Sequence, residues 1–293
     1  MARKVIKTVQ GFPAVDGDGV QLVRVLGNKT VYDFDPFLML DSFDTTDPEA
    51  WKRGFPRHPH RGIETVTFMS QGEVTHRDNL GNQATVGDGG AQWLTAGSGA
   101  YHSEFMNAKD RLLGLQLWLN LPQKEKMSEP YYHSINNDEI QEIPVEGGKL
   151  RLLTGNYLDH KGFQSPHLPL DYYNIFLEPN ATLTIPTDAK RSMMVFTLVG
   201  DAIVAGKHIA EKTAVKLGDG DSVEIKAGDK PIEIMLMSSI ALNEPIAWYG
   251  PIVMNDNNEL RQAVSDLQNG TFVKSKIVFR SVEQPKTIRN IQT

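Results

Sequence analysis

The chain has 293 residues, 40% of them hydrophobic and 23% charged, with a formal net charge of −6 and no cysteine. Without cysteine there are no disulfides, no thiolate metal ligands and no cysteine nucleophile. The acidic balance and the lack of a long Lys/Arg run argue against direct nucleic-acid binding, which needs a basic patch to neutralise phosphates. No stretch approaches the roughly 18 apolar residues of a membrane helix. The N-terminus, MARKVIKTVQGF, lacks the apolar core of a signal peptide. An intracellular, cytoplasmic protein with no membrane partner is therefore expected. The length suffices for two ordinary domains.

From Val5 to Asp35, short β-type runs alternate with Gly, Asn and Asp turns. The run Asp35 to Phe43 is dense and apolar and reads as core. Residues 44–54 read as a surface loop. They lead to FPRHPHRGIETVTFM, in which His58 and His60 stand two apart. ETVTFMSQGEVTHRD reads as a hairpin turning at Gln71-Gly72. Turn clusters GN, GDGG and AGSG follow, enclosing the short run Ala91 to Leu94. AYHSEFM then places His102 two residues before Glu104. Residues 122–149 are polar and carry Pro122, Pro130 and Pro144, the best domain boundary in the chain. The expected division is residues 1–130, a metal-binding domain, and residues 145–293, a second domain. Strand signals fill the second half until Asp256 and Glu259, which form a capping box. Leu260, Ala263, Val264 and Leu267 then make one helical face, and Asn269-Gly270 a stop. The fold class is all-β, two tandem barrels with a short C-terminal helix.

The halves share a pattern. TVTFMSQGEV pairs with MMVFTLVGDA, matching Gly72 with Gly200, and GDGGAQWLTAG pairs with GDGDSVEIKAG. Ungapped, these offsets set His58 on Pro186, His60 on Asp188, His102 on Glu233 and Glu104 on Met235. The second copy thus lacks imidazoles, and only the carboxylates Asp188 and Glu233 could bind a cation weakly.

On an extended chain, residues i and i+2 point to one face. His58 with His60, and His102 with Glu104, therefore project two pairs of metal-capable side chains. Three histidines and a carboxylate would leave open positions on a six-coordinate ion, which suits chemistry better than a closed structural clamp. Imidazole and carboxylate accommodate Fe, Mn, Ni, Co, Zn or Cu, and sequence does not choose among them. By parity Glu64, Val66 and Phe68 share the histidine face if Pro59 and Gly62 introduce no bulge. Glu64 could then be a fifth ligand, an acceptor for an imidazole N–H, or a general base. His76 reads as an exposed strand-end residue. His133, His160, His167 and His208 read as structural or surface residues, and Trp93 and Trp118 as core.

HPHRGIETVT, HRDNLGN, QWLTAGSG and HSE together resemble the pirin family, bicupins of the cupin superfamily. DPFLMLD, GLQLWLNLP, GDGDSV and NGTF extend the resemblance over nearly the whole chain. It implies His58, His60, His102 and Glu104 as ligands, a second cupin without ligands, and one divalent transition metal ion, with Fe(II) expected first. It implies quercetin 2,3-dioxygenase-type cleavage of a planar polyphenol with O2 and release of CO. Glu104 would take the flavonol 3-hydroxyl proton, and Val66 and Phe68 would shield the centre. The alternative it implies is a metal-dependent regulator that binds a transcription-factor complex or a metabolic enzyme.

Overall fold

The β-branched and aromatic runs pair as antiparallel strands, and in the computed structural model, which describes residues 1–274, they build two sandwiches on one plan. The first has a seven-stranded sheet in the order Tyr131–Ile135, Ala91–Thr95, Ile63–Gln71, Leu112–Asn120, Phe37–Thr45, Val20–Leu26, Phe12–Asp16. Its four-stranded sheet runs Phe55–His60, Ala100–Asn107, Glu73–Asp78, Gln83–Val86. The second has seven strands in the order Val5–Gln10, Thr213–Leu217, Ser192–Val199, Ile232–Ser239, Leu170–Leu177, Gly148–Thr154, Gln141–Val145. Its four are Thr182–Pro186, Ser222–Ala227, Ala202–Val204, Lys207–Ile209. A hairpin, Ala247–Tyr249 with Ile252–Met254, and the helix Asn257–Gln268 follow. Asp256 caps that helix in a capping box with Glu259. None of the helices among the described residues is long and apolar enough to cross a membrane.

The expected division of the chain is crossed in two places. Val5–Gln10 pairs with Thr213–Leu217 and so joins the second sheet. Tyr131–Ile135, beyond residue 130, pairs with Ala91–Thr95 and fills the corresponding edge of the first. Residues 275–293 of the second expected domain lie outside the described residues.

The Gly72–Gly200 match coincides with one corner of the plan. Both glycines have positive φ, 94° and 80°, where a strand of the seven-stranded sheet passes into the four-stranded one. That corner replaces the expected hairpin, because Ile63–Gln71 and Glu73–Asp78 lie in different sheets. The GDG match is displaced by one strand. Gly87 precedes Ala91–Thr95, whereas Gly218 follows the corresponding strand, Thr213–Leu217. The counterparts of the histidine strands are thus Thr182–Pro186 and Ser222–Ala227. Their inward residues Leu183, Ile185, Val223 and Ile225 are buried in an apolar cluster. Asp188 and Glu233 do not form a pair. Asp188 lies beside Arg191, just before Ser192–Val199, while Glu233 pairs with Val199 at that strand's far end.

Side-chain parity sorts the first sandwich. Val66, Phe68, Trp93, Leu115 and Leu117 face the second domain, packing with Phe196, Met235 and Met237 in one buried cluster. The alternate residues face the barrel interior. Val20, Phe43, Met69 and Met106 seal one end with apolar side chains. Along the same strands Asp41, Thr67, Gln92 and Gln116 are buried polar residues. Residues 44–54 are anchored rather than free, since Ala50 and Trp51 are buried in that apolar end.

Candidate metal centre

Phe55–His60 is the edge strand of its sheet, a position that tolerates Pro56 and Pro59, which lack the N–H needed in a central strand. Neither histidine is on a surface loop. His58 stands opposite His102 and His60 opposite Ala100. His58 Nδ1–H donates to the Pro56 carbonyl at 2.8 Å, and His60 Nδ1–H to the Pro251 carbonyl at 3.2 Å. Each ring therefore presents a lone pair at Nε2, and these two atoms are 3.0 Å apart. His102 Nε2 is 3.0 Å from His58 Nε2. Lone pairs at that spacing repel unless a cation or proton lies between them. Two nitrogens at right angles on one ion, each about 2.1 Å from it, stand about 3.0 Å apart. Burial and the neighbouring imidazoles push the pKa values of His60 and His102 well below the ordinary histidine range. Both rings are neutral donors at pH 7. A buried His/Glu group here could bind a metal ion.

Glu104 is 2% exposed and tightly held. Oε1 accepts from Thr67 Oγ1 at 3.1 Å and from Gln92 Nε2, and Oε2 accepts from Gln116 Nε2 at 2.8 Å. The carboxylate groups with His102 and His76, not with the triad of His58, His60 and His102, within 4.8 Å. Thr67, Gln92 and Gln116 were not anticipated from the sequence. Gln116 and Trp118 alternate with leucines in GLQLWLNL, and that polar-apolar alternation carried the signal.

Glu64 does not share the histidine face. Gly62, at φ 78°, breaks the run, and a Cβ there would come within 2.0 Å of the Val253 carbonyl oxygen. The chain changes sheets at this point, so Glu64, Val66 and Phe68 turn toward the second domain. Glu64 accepts from Thr95 Oγ1 at 2.6 Å and Trp93 Nε1 at 3.0 Å. Burial pushes its pKa up to about 7, against the pull of those two donors. Val66 and Phe68 accordingly cannot shield the centre.

His76 is not exposed. It is fully buried, its Nε2 lies 3.0 Å from Asp78 Oδ2, and its Nδ1 lies 3.4 Å from His102 Nδ1. The strand supplied by the inter-domain segment covers it, with Tyr132 stacked on the ring at 4.1 Å. His133, His160, His167 and His208 sit apart from the centre, beside Glu139, Gln141, Glu125 and Asp201 respectively.

A cleft of about 1020 Å³ opens onto His58 and His60 and is walled by Met39, Phe55, Trp118 and Trp248. Trp93 is core, as expected, but Trp118 lines this cleft. Its ring meets His60 edge-on at 4.9 Å and stacks on Trp248 at 5.7 Å. The C-terminal hairpin closes this side. Lys126 Nζ donates to the carbonyls of Gly62 and Val253 and to Asn120 Oδ1. Arg61 donates to Asp266 of the helix at 2.8 Å and to the Phe272 carbonyl at 2.7 Å.

Comparison with known proteins agrees with this architecture. The Pirin family model matches residues 19–119, and the Pirin C-terminal cupin domain model matches residues 172–273. A pirin-like protein of Caulobacter vibrioides is 37% identical over 276 residues, covering 92% of this chain and 99% of its own length. Pirin of Homo sapiens is 34% identical over 275 residues, covering 92% and 93%. The crystal structure of quercetin 2,3-dioxygenase from Acinetobacter baumannii matches with a TM-score of 0.85 at 31% identity. It covers 93% of this chain and 99% of that one.

Proposed function

The chain belongs to the pirin family, with two cupin domains in tandem, and on that premise we propose that it is a metal-dependent dioxygenase that opens planar polyphenols with O2 in the manner of quercetin 2,3-dioxygenase, releasing CO. The observation that carries the reading is the convergence of the Nε2 atoms of His58, His60 and His102, the first two lining an aromatic-walled cleft. His58, His60 and His102 would hold one divalent transition metal ion, with Glu104 as the fourth donor. Fe(II) is the ion proposed, and the same donor chemistry accepts Mn, Ni, Co, Zn or Cu.

A bound divalent ion supplies Lewis acidity, which lowers the pKa of a phenolic hydroxyl beside it. The protein's own groups do the rest. Glu104 Oε2 takes one hydrogen bond from the described residues against two on Oε1, so Oε2 has the capacity to accept the hydroxyl proton. Gln116, which reaches both Glu104 and the cleft, holds that oxygen in place. Trp118 and Trp248 present a flat face to a flat substrate. Met39 and Phe55 keep water from the reacting ring. The resemblance in fold to the Acinetobacter baumannii dioxygenase supports the same substrate class.

The test follows loss of quercetin at its visible absorbance band under O2, with headspace CO, for metal-loaded protein and His102→Ala. Turnover with CO in the first and not in the second is expected. Equal, slow turnover would overturn the enzyme reading in favour of a metal-dependent adaptor.

A further inference from the structure

His102 has two ring nitrogens and both are engaged. Nε2 faces His58, so only Nδ1 is left to face His76, at 3.4 Å. His76 in turn places Nε2 3.0 Å from Asp78 Oδ2. Asp78 is itself held on both oxygens, Oδ1 by the backbone N–H groups of Leu80 and Asn82 and Oδ2 by Asn82 Nδ2. The side chains of His76 and Asp78 are 1% and 0% exposed. The Tyr132 ring lies 13° from parallel with His76 and fixes its plane. A carboxylate saturated with donors accepts a proton-bearing nitrogen, so His76 carries its hydrogen on Nε2. Its Nδ1 is then a lone pair, which accepts from His102 Nδ1–H.

We propose that His76, oriented by Asp78 and Tyr132, is a positioning residue that locks His102 in the tautomer whose Nε2 lone pair points at His58 and His60. The proposal rests on the reading of those three histidines as metal donors, yet it makes a statement about the metal-free protein. A neighbour that fixes a ligand's tautomer prepays the cost of orienting it, so its loss weakens binding without removing a donor. One ring cannot aim both nitrogens at one ion, so His76 could serve as a ligand with His102 Nδ1 only at a second ion.

The test uses the full chain with 15N-labelled histidine, assigned through His102→Ala, and reads ring-nitrogen shifts before metal is added. In the metal-free wild type, His102 is expected with hydrogen on Nδ1 and none on Nε2. His76→Asn keeps an acceptor near Nδ1 and should preserve that tautomer. His76→Phe keeps the ring on Tyr132 but removes the acceptor, and should give mixed tautomers. Ni(II) competition against a chelator should then show weakening of about 10- to 100-fold in His76→Phe and much less in His76→Asn. Hydrogen on Nε2 of His102 in the wild type would overturn the proposal, as would two Ni(II) ions per chain or equal affinity in wild type and His76→Phe. If the tautomer is as stated but the wild type binds no Ni(II), the tautomer lock stands and the dioxygenase reading fails.

Discussion

His58 Nε2 and His102 Nε2 face each other at 3.0 Å across 44 residues of chain, and each ring's other nitrogen is already committed, to Pro56 and toward His76. Backbone pairing of the two strands sets this approach, since the residues are direct cross-strand partners. The fold thus holds together donors that would otherwise repel. Binding an ion should relieve that repulsion and stabilise the native state.

A thermal scan should show this. With Ni(II) at 100 times its dissociation constant, the native state gains about 2.7 kcal/mol by mass action, which raises Tm. His102→Ala should lose most of the metal-dependent rise while keeping its strand content.

Glu64 gives a pH prediction. Its folded pKa, about 7, lies above the unfolded value of 4.5. The native state therefore binds the proton more tightly. The associated stability is fully present below pH 4.5 and is lost as pH rises through 7, by roughly 3 kcal/mol for a shift of this size. His60, His102 and Lys126, whose pKa values are lowered, act in the opposite sense in any variant that keeps them, so the Glu64 contribution is read as a difference. Denaturant unfolding at pH 5 and pH 8 should show Glu64→Gln gaining stability relative to wild type at the higher pH.

Lys126 ties the C-terminal hairpin to the strand that follows the histidines. Burial lowers its pKa to about 7, while its Nζ donates to three oxygens. Lys126→Met fills the volume but strands those acceptors, at a cost of about 3 kcal/mol or more. Because Pro251 in the same hairpin holds His60 Nδ1, Ni(II) affinity should fall along with stability. Unfolding curves and chelator competition on one variant check both.

Trp248 comes from the hairpin that follows the second sandwich to stack on Trp118 in the first domain's cleft. If that face receives the substrate ring, Trp248→Ala should raise KM for quercetin about 10-fold, the equivalent of about 1.4 kcal/mol, with kcat little changed. Steady-state kinetics over a range of quercetin concentrations separate the two constants.

The sequence made the strands and the pairs His58/His60 and His102/Glu104 legible for the same reason, the two-residue period of extended chain. His102 and Glu104 fall on one buried face, because Ala100–Asn107 keeps unbroken register with Glu73–Asp78 across them, although its pairing with Phe55–His60 shifts there. Glu64 leaves the histidine face because the condition on Gly62 fails: parity does not survive that residue, where the Val253 carbonyl leaves no room for a Cβ. His76 is missed because the residues that bury it, Tyr132 above all, arrive from the segment read as a domain boundary. A local signal existed nonetheless, since Val74, His76 and Asp78 alternate on one face with Thr75 and Arg77 on the other. The GDG repeat slips by a strand because turn glycines recur at several corners of a sandwich, whereas the burial of Leu183 and Ile225 marks the true counterparts.

If the three histidines hold one divalent transition metal ion, elemental analysis shows it in the protein as purified and after reconstitution, beside His58→Ala. About one ion per chain is expected in the wild type and little in the variant, with strand content unchanged in both. A wild type that stays metal-free after reconstitution, or a His58→Ala protein that retains as much metal, would contradict it.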